Sequence, residues 1–290
     1  KDKYLPHLLG HEASGIVIEK HESVKSVKKN DHVVLHWMKS NKIQSETPIY
    51  YNNNKKINAG SVTTFNQLAI VSENRLTKIP KFINLKHACL LGCSLTTAFG
   101  TILNYDYINP EDNVLIIGCG AIGLPLITAL KTNKNKLVIA IDINKKNLNL
   151  AKKMGADKIY LSKKNEESSL KKIINRFKVN KIIDTTGNSK IIENAYNLLE
   201  TKGNLVLLGV PNHKEKIAIN TLGINLGKKI VGSHGGGIEP SKDILKIYNL
   251  AKNKFKFKNY ISNIISLSQI NKYICLIKKR KISGKVIIKF

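Results

Sequence analysis

The stretch VLIIGCGAIGL, residues 114–124, sets Gly118, Gly120 and Gly123 in the spacing G-x-G-x-x-G. An apolar, strand-like run precedes these glycines and a helix-like run follows. In that context the first glycine permits a tight turn, the second lets a pyrophosphate approach the backbone, and the third lets helix and strand pack closely. Cys119, Ala121 and Ile122 fill the positions between them, and the helix N-terminus offers free N–H groups and a positive dipole end to phosphates. The next apolar run ends in Asp142, 19 residues after Gly123. A carboxylate there hydrogen-bonds a ribose diol and repels a 2′-phosphate, so the expected ligand is NAD rather than NADP.

A second group of residues has the chemistry of a metal site. Gly10-His11-Glu12 opens an apolar strand, and Cys93 stands in CLLGCSLTTAFG. Imidazole and thiolate are both side chains that bind zinc. Taken singly, each has a plainer reading: a histidine at a strand start is more often structural, and a buried cysteine is more often a small apolar residue. The cysteines, Cys89, Cys93, Cys119 and Cys275, form no spaced quartet, so a metal would have to use a cysteine singly.

These residues need elements to hold them. Residues 14–37 alternate in strand fashion, 39–61 read as a long polar excursion, and 63–80 suggest another strand pair. A helical spacing over 85–103 follows. Beyond it, Ile/Leu/Val-rich strands at 113–118, 137–142, 158–160, 181–187, 204–210 and 228–233 alternate with helices such as 123–133, 144–156 and 189–200. Solidly apolar strands separated by helices predict a parallel sheet covered on both faces. The tail from about 235 predicts one helix, 241–252, among short strands.

With 290 residues and 42% hydrophobic content, the chain is long enough for two globular domains. The apolar stretch 114–130 is short for a membrane span and is interrupted by glycines, so it reads as a buried strand entering a buried helix. The net charge of +28 is nearly all lysine, scattered along the chain, with arginine only at Arg75, Arg176 and Arg280. Base and phosphate readers lean on arginine for bidentate contacts. The charge therefore predicts solvated faces, with neither a nucleic acid nor a membrane as partner. KDKYLPHLLG is too short and charged for a signal peptide, which points to the cytoplasm. Its lack of an initiator Met suggests a chain truncated at its N-terminus.

The pieces GHEASGIV, NDHVV, ACLLGCSLTTAFG, VLIIGCGAIGL, IAIDINKKNLNLAKKMGA, DTTGN, LVLLGVP and ISGKVIIKF run through the whole chain. In that order they resemble the zinc-dependent medium-chain alcohol dehydrogenases, including the class that oxidises S-(hydroxymethyl)glutathione. The resemblance implies an α/β fold: a doubly wound Rossmann domain over 95–234 with a mostly β, GroES-like catalytic domain over 1–94 and 235–290. It implies a catalytic zinc with His11 as second and Cys93 as third ligand, and Glu12 as alternative ligand. The first ligand, a cysteine with a proton relay, would lie upstream of this chain. No structural zinc is expected, because residues 39–61 hold no cysteine. The resemblance assigns NAD phosphates to 118–123, adenosine ribose to Asp142 and pyrophosphate to Lys285. It assigns the nicotinamide pocket to Thr185, Gly187, Leu208, Gly209 and Ser233. Trp37 and Phe65 would wall a cleft for a small alcohol or aldehyde, or would serve the core. A homodimer through the edge of the cofactor sheet is implied. The alternative is a zincless or non-catalytic dinucleotide-binding relative.

Overall fold

The computed structural model describes residues 5–162 and 167–290; residues 1–4, where the expected catalytic domain begins, lie outside them. The N-terminal part is a small antiparallel sheet. Strand β1, Ala13–Ile16, pairs with β2, His32–Leu35. The polar excursion after it holds a hairpin of β3, Tyr50–Asn52, and β4, Lys55–Ile57. Asn53 and Asn54 turn this hairpin at φ 47° and 63°, a conformation asparagine tolerates well. Where two strands were expected over 63–80 there is one, β5, Leu76–Ile79, which pairs with β2. The residues before β5 bond irregularly: Thr64 N and Phe65 N both donate to Leu9 O, at 3.1 and 3.0 Å, and Ser72 Oγ accepts from Ser45 N at 3.1 Å.

The parallel sheet follows the predicted series: β6, Asn113–Ile117; β7, Leu137–Asp142; β8, Lys158–Leu161; β9, Lys181–Asp184; β10, Asn204–Leu207; and β11, Lys229–Gly232. Their order is β11-β10-β9-β6-β7-β8. Period-two alternation explains why both faces are covered. Val114, Ile116, Val138, Ala140, Ile183 and Val206 join a core with Leu126, Ile127 and Leu130 of the helix Gly123–Thr132. Leu115, Ile117, Ile139, Ile141, Ile182 and Leu205 join a second core with Ile173, Ile174 and Tyr196. The chain winds outward through β7 and β8, then returns to the other side of β6 at β9. That reversal opens a crevice at the carboxyl ends of β6 and β9, the place where doubly wound sheets bind ligands.

The helix expected over 85–103 is broken into Leu85–Ala88, a 3-10 turn Cys89–Gly92, and Ser94–Leu103. Gly92 is the reason: a Cβ there would run into the Leu35 carbonyl and come within 2.9 Å of Glu12 Cβ. The tail holds the helix Pro240–Ala251 as expected. It also holds a helix that the sequence reading did not assign, Ile270–Lys278, carrying the chain between β12, Ile261–Ile265, and its parallel partner β13, Lys285–Ile288. None of that helix's residues is fully buried, although Ile270, Tyr273, Ile274 and Ile277 recur at helical spacing. Among the described residues no helix is long and apolar enough to cross a membrane.

Candidate functional site

The glycine loop sits at the crevice mouth. Gly118 turns at φ +93°, with its N–H donating to Ile141 O at 2.9 Å, and a Cβ on it would lie 2.5 Å from Thr185 Oγ1. Gly120 faces open space: a Cβ there meets nothing within 4 Å. Gly123 packs so tightly that a Cβ would overlap the Gly118 carbonyl. The three glycines thus differ as their spacing predicts, with a turn at Gly118, open backbone at Gly120 and close packing at Gly123. No acidic side chain stands in the first turn of the helix that follows, so the positive helix end is left for an anion.

Asp142, at the end of β7, accepts from Cys119 N at 2.7 Å, Asn144 N at 2.7 Å and Asn147 Nδ2 at 3.2 Å. A carboxylate has about four acceptor positions, and the described residues occupy three of them. Across the crevice, Thr185 Oγ1 donates to Gly118 O at 2.9 Å and ties β9 to the loop. Gly187 turns at φ +66° beneath the Val210 carbonyl, and Gly209 presses against the Gly187 amide. Leu208 N donates to Asp184 O at 2.9 Å, and Ser233 Oγ shares a 2.7 Å hydrogen bond with Thr101 Oγ1. Asp184, absent from the sequence reading as a site residue, is fully buried and accepts from Thr186 Oγ1 at 2.6 Å and Gly187 N at 2.9 Å. Burial raises its pKa, against those hydrogen bonds. The residues of this crevice fit a dinucleotide.

The second group converges from distant parts of the chain. Glu12 forms an ion pair with Lys285 at the start of β13, and its other oxygen accepts from Ser94 N at 3.2 Å. Glu12 and Lys285 are largely withdrawn from water, with side chains 16% and 23% exposed. Lys285, which the resemblance assigns to the pyrophosphate, has its ammonium paired with Glu12. Cys93, half-buried, feels the same carboxylate. Burial pushes its thiol up to about 11 and Glu12 adds to this, while Lys285 and hydrogen bonds with Thr97 and Trp37 act in the other direction. Cys89 donates to Lys86 O at 3.4 Å, and burial with Glu12 pushes it up to about 12. Trp37 also meets His234 edge-on at 4.9 Å.

His11 is exposed. It lines an open groove of about 1760 Å³ together with Glu12, Phe65, Cys89, Ala121 and Lys285, whereas Cys93 does not line this groove. Among the described residues, no three His, Cys, Asp or Glu side chains stand close enough together to hold a metal ion. Both oxygens of Glu12 already have partners. The described residues therefore do not by themselves fit zinc. Ser94 and the Lys285 contact were beyond sequence reasoning, since only folding brings residues 12, 94 and 285 together.

Two family models match the chain: an alcohol dehydrogenase GroES-like domain over residues 1–81 and a zinc-binding dehydrogenase over 121–251. The S-(hydroxymethyl)glutathione dehydrogenase of Escherichia coli strain SMS-3-5 is 27% identical over 296 residues, covering 92% of this chain and 80% of that protein. The crystal structure of benzyl alcohol dehydrogenase from Acinetobacter calcoaceticus superposes with a TM-score of 0.86 at 26% identity, over 99% of this chain and 84% of that one. An alcohol dehydrogenase from Escherichia coli CFT073, solved with NADH, shares the fold with a TM-score of 0.78 at 20% identity, over 99% of this chain and 85% of that one.

Proposed function

Since the chain belongs to the zinc-dependent medium-chain alcohol dehydrogenase family, we propose that it interconverts an alcohol and an aldehyde by NAD-linked hydride transfer. S-(hydroxymethyl)glutathione, the glutathione adduct of formaldehyde, is the substrate we put first among the alcohols, after the E. coli relative. The observation that carries this reading is the loop 118–123 facing Asp142 at the carboxyl end of β6. There Gly120 leaves the backbone open, and Asp142 accepts from the Cys119 amide of the loop, with three of its roughly four acceptor positions taken among the described residues.

NAD, when bound, supplies a nicotinamide carbon that takes hydride from the alcohol carbon. The chain's own task is to bind and orient it. Gly118, Cys119, Gly120, Ala121, Ile122 and Gly123 would hold the pyrophosphate on the helix N-terminus. Asp142 would hold the adenosine ribose, and Lys285 would add charge while still paired with Glu12. Thr185, Gly187, Leu208, Gly209 and Ser233 would line the nicotinamide, and the close packing of Gly187 on Gly209 would keep that wall rigid and exclude water. Holding donor carbon and acceptor ring about 3–3.5 Å apart is worth several orders of magnitude in rate.

In zinc relatives of this family the metal activates the alcohol. His11 and Cys93 are the two side chains we assign to it, with Glu12 as alternative. The described residues do not by themselves complete that site. We assign 95–234 to the cofactor domain and 1–94 with 235–290 to the catalytic domain. A homodimer through the free edge of β11 suits the sheet order.

The test is NADH formation from NAD and a panel of alcohols, with S-(hydroxymethyl)glutathione included, in zinc-supplemented protein. Turnover with NAD and little with NADP is expected. Absence of turnover with every alcohol overturns the catalytic reading.

A further inference from the structure

The helix Gly123–Thr132 begins with an irregularity that has a chemical cause. In its first turn Leu124 N donates to Gly120 O at 3.2 Å and Leu126 N to Ile122 O at 3.1 Å. The carbonyl between these acceptors, that of Ala121, would take its hydrogen bond from residue 125. Residue 125 is proline and has no N–H. The phosphate loop thus contains a carbonyl that its own helix cannot satisfy. The hydroxyl of Tyr260 fills the vacancy, donating to Ala121 O at 2.6 Å from a residue 139 positions away in sequence.

We propose that Tyr260 is a positioning residue for the dinucleotide: its hydroxyl replaces the donor that Pro125 removes, and so fixes the phosphate-binding loop. The inference rests on the reading of this crevice as a dinucleotide site.

Tyr260 is itself held firmly. It is fully buried and meets Phe255 edge-on, with ring centroids 5.1 Å apart. Its own carbonyl is crowded by Gly284, at φ +83°, where a Cβ would collide with it. The residue after Gly284 is Lys285, which pairs with Glu12, and β12 and β13 are in register from Ile261 and Lys285. One rigid piece of the C-terminal segment therefore contacts both the phosphate loop and the Glu12 cluster. The hydroxyl stays a donor, because burial raises its pKa well above the usual tyrosine value and the Glu12 carboxylate adds to this. A peptide unit is planar and trans, so anchoring the Ala121 carbonyl also sets the direction of the Ile122 N–H, which points the opposite way. That N–H belongs to the loop assigned to the pyrophosphate. Without the hydroxyl the carbonyl must seek another donor, and the loop turns with it.

The experiment is a fluorescence titration of NADH into the wild-type protein, Tyr260→Phe, and the double variant Pro125→Ala/Tyr260→Phe. Removing the hydroxyl leaves a backbone acceptor unpaired, and Tyr260→Phe should raise the Kd for NADH about tenfold. Pro125→Ala restores a backbone N–H at the right position, and added to Tyr260→Phe it should bring the Kd back to within about twofold of wild type. A role in packing alone predicts no such rescue, because the change at 125 does nothing for the ring. Wild-type affinity in Tyr260→Phe overturns the proposal, as does a double variant that stays weak. Should Tyr260→Phe fail to fold, a double variant that folds and binds supports the proposal, and one that does not overturns it. Wild-type protein that binds no NADH overturns the dinucleotide reading itself, and this inference with it.

Discussion

Asp142 holds two kinds of partner with one carboxylate. It anchors the Cys119 amide in the glycine loop, and in the proposed function it also accepts from the adenosine ribose. Its charge matters for both, since bonds to charged acceptors exceed neutral ones by a factor of about two. Replacement by serine keeps a small polar group and removes the charge that repels a 2′-phosphate. For Asp142→Ser we expect the preference for NADH over NADPH, read as a ratio of Kd values, to fall by about tenfold or more, the worth of one charged hydrogen bond. An unchanged ratio would remove Asp142 from the ribose site. Cys93 depends equally on its surroundings. With its pKa up at about 11 the thiol stays protonated near neutral pH, so it becomes a thiolate ligand only where a cation offsets burial and the Glu12 charge.

At the scale of elements, close backbone approach decides against local propensity. Gly100 lies inside the helix Ser94–Leu103, where glycine ordinarily costs about 1 kcal/mol relative to alanine. Here a Cβ would stand 2.5 Å from Gly236 O and 2.7 Å from Ile238 Cγ2. The neighbour is backbone, which cannot swing aside as a flexible side chain would. Gly100→Ala should therefore destabilise by about 1–3 kcal/mol, the usual range for overpacking, in place of the propensity gain. Urea unfolding distinguishes the two, and a more stable variant would show that the segment 235–237 can move away. The break in the expected helix 85–103 has the same origin at Gly92, whose contact with Leu35 and Glu12 lets Ser94 reach the Glu12 carboxylate.

The whole molecule integrates its titrations in global stability. His36 is fully buried; its Nδ1 bonds to Met38 O at 2.8 Å and its Nε2 to Thr77 Oγ1 at 3.0 Å. Burial pulls its pKa down to about 4. A histidine lowered on folding contributes stability that is complete above its unfolded pKa, near 6.5, and is lost as pH falls toward the folded value. His87, also lowered by burial, acts in the same sense. Asp31, held down by Lys78, and Glu73, held down against burial by hydrogen bonds that Ser26 heads, extend the loss below their unfolded values near 4. These groups favour the folded state at higher pH, while Asp184, raised by burial, acts in the opposite sense; His36 acts first, so stability should decline below about pH 6.5, with His36 accounting for a loss of about 3 kcal/mol by pH 4. Urea midpoints between pH 7 and 4.5 test this, and a flat profile would show that His36 is protonated in the folded protein.

Much of this architecture is local, and so was legible in the residues. The series of strands β6 to β11 and the turn of the glycine loop follow from runs of Ile, Leu and Val and from one spacing, because strand burial and a glycine turn are written in contiguous stretches, whereas the spatial order of the strands is decided by packing. The hairpin at 50–57 escaped because its lysine- and asparagine-rich residues alternate weakly, whereas the helix Ile270–Lys278 went unassigned although Ile270, Tyr273, Ile274 and Ile277 stand at helical spacing. Neither composition nor motif could reveal that Lys285 faces Glu12, that Ser94 shares its carboxylate, or that a tyrosine at 260 completes a helix begun at 123. Those contacts join residues separated by most of the chain, and packing alone selects which buried donor meets which buried acceptor. Pro125 removes a hydrogen bond by its covalent structure; only the tertiary fold decides what replaces it.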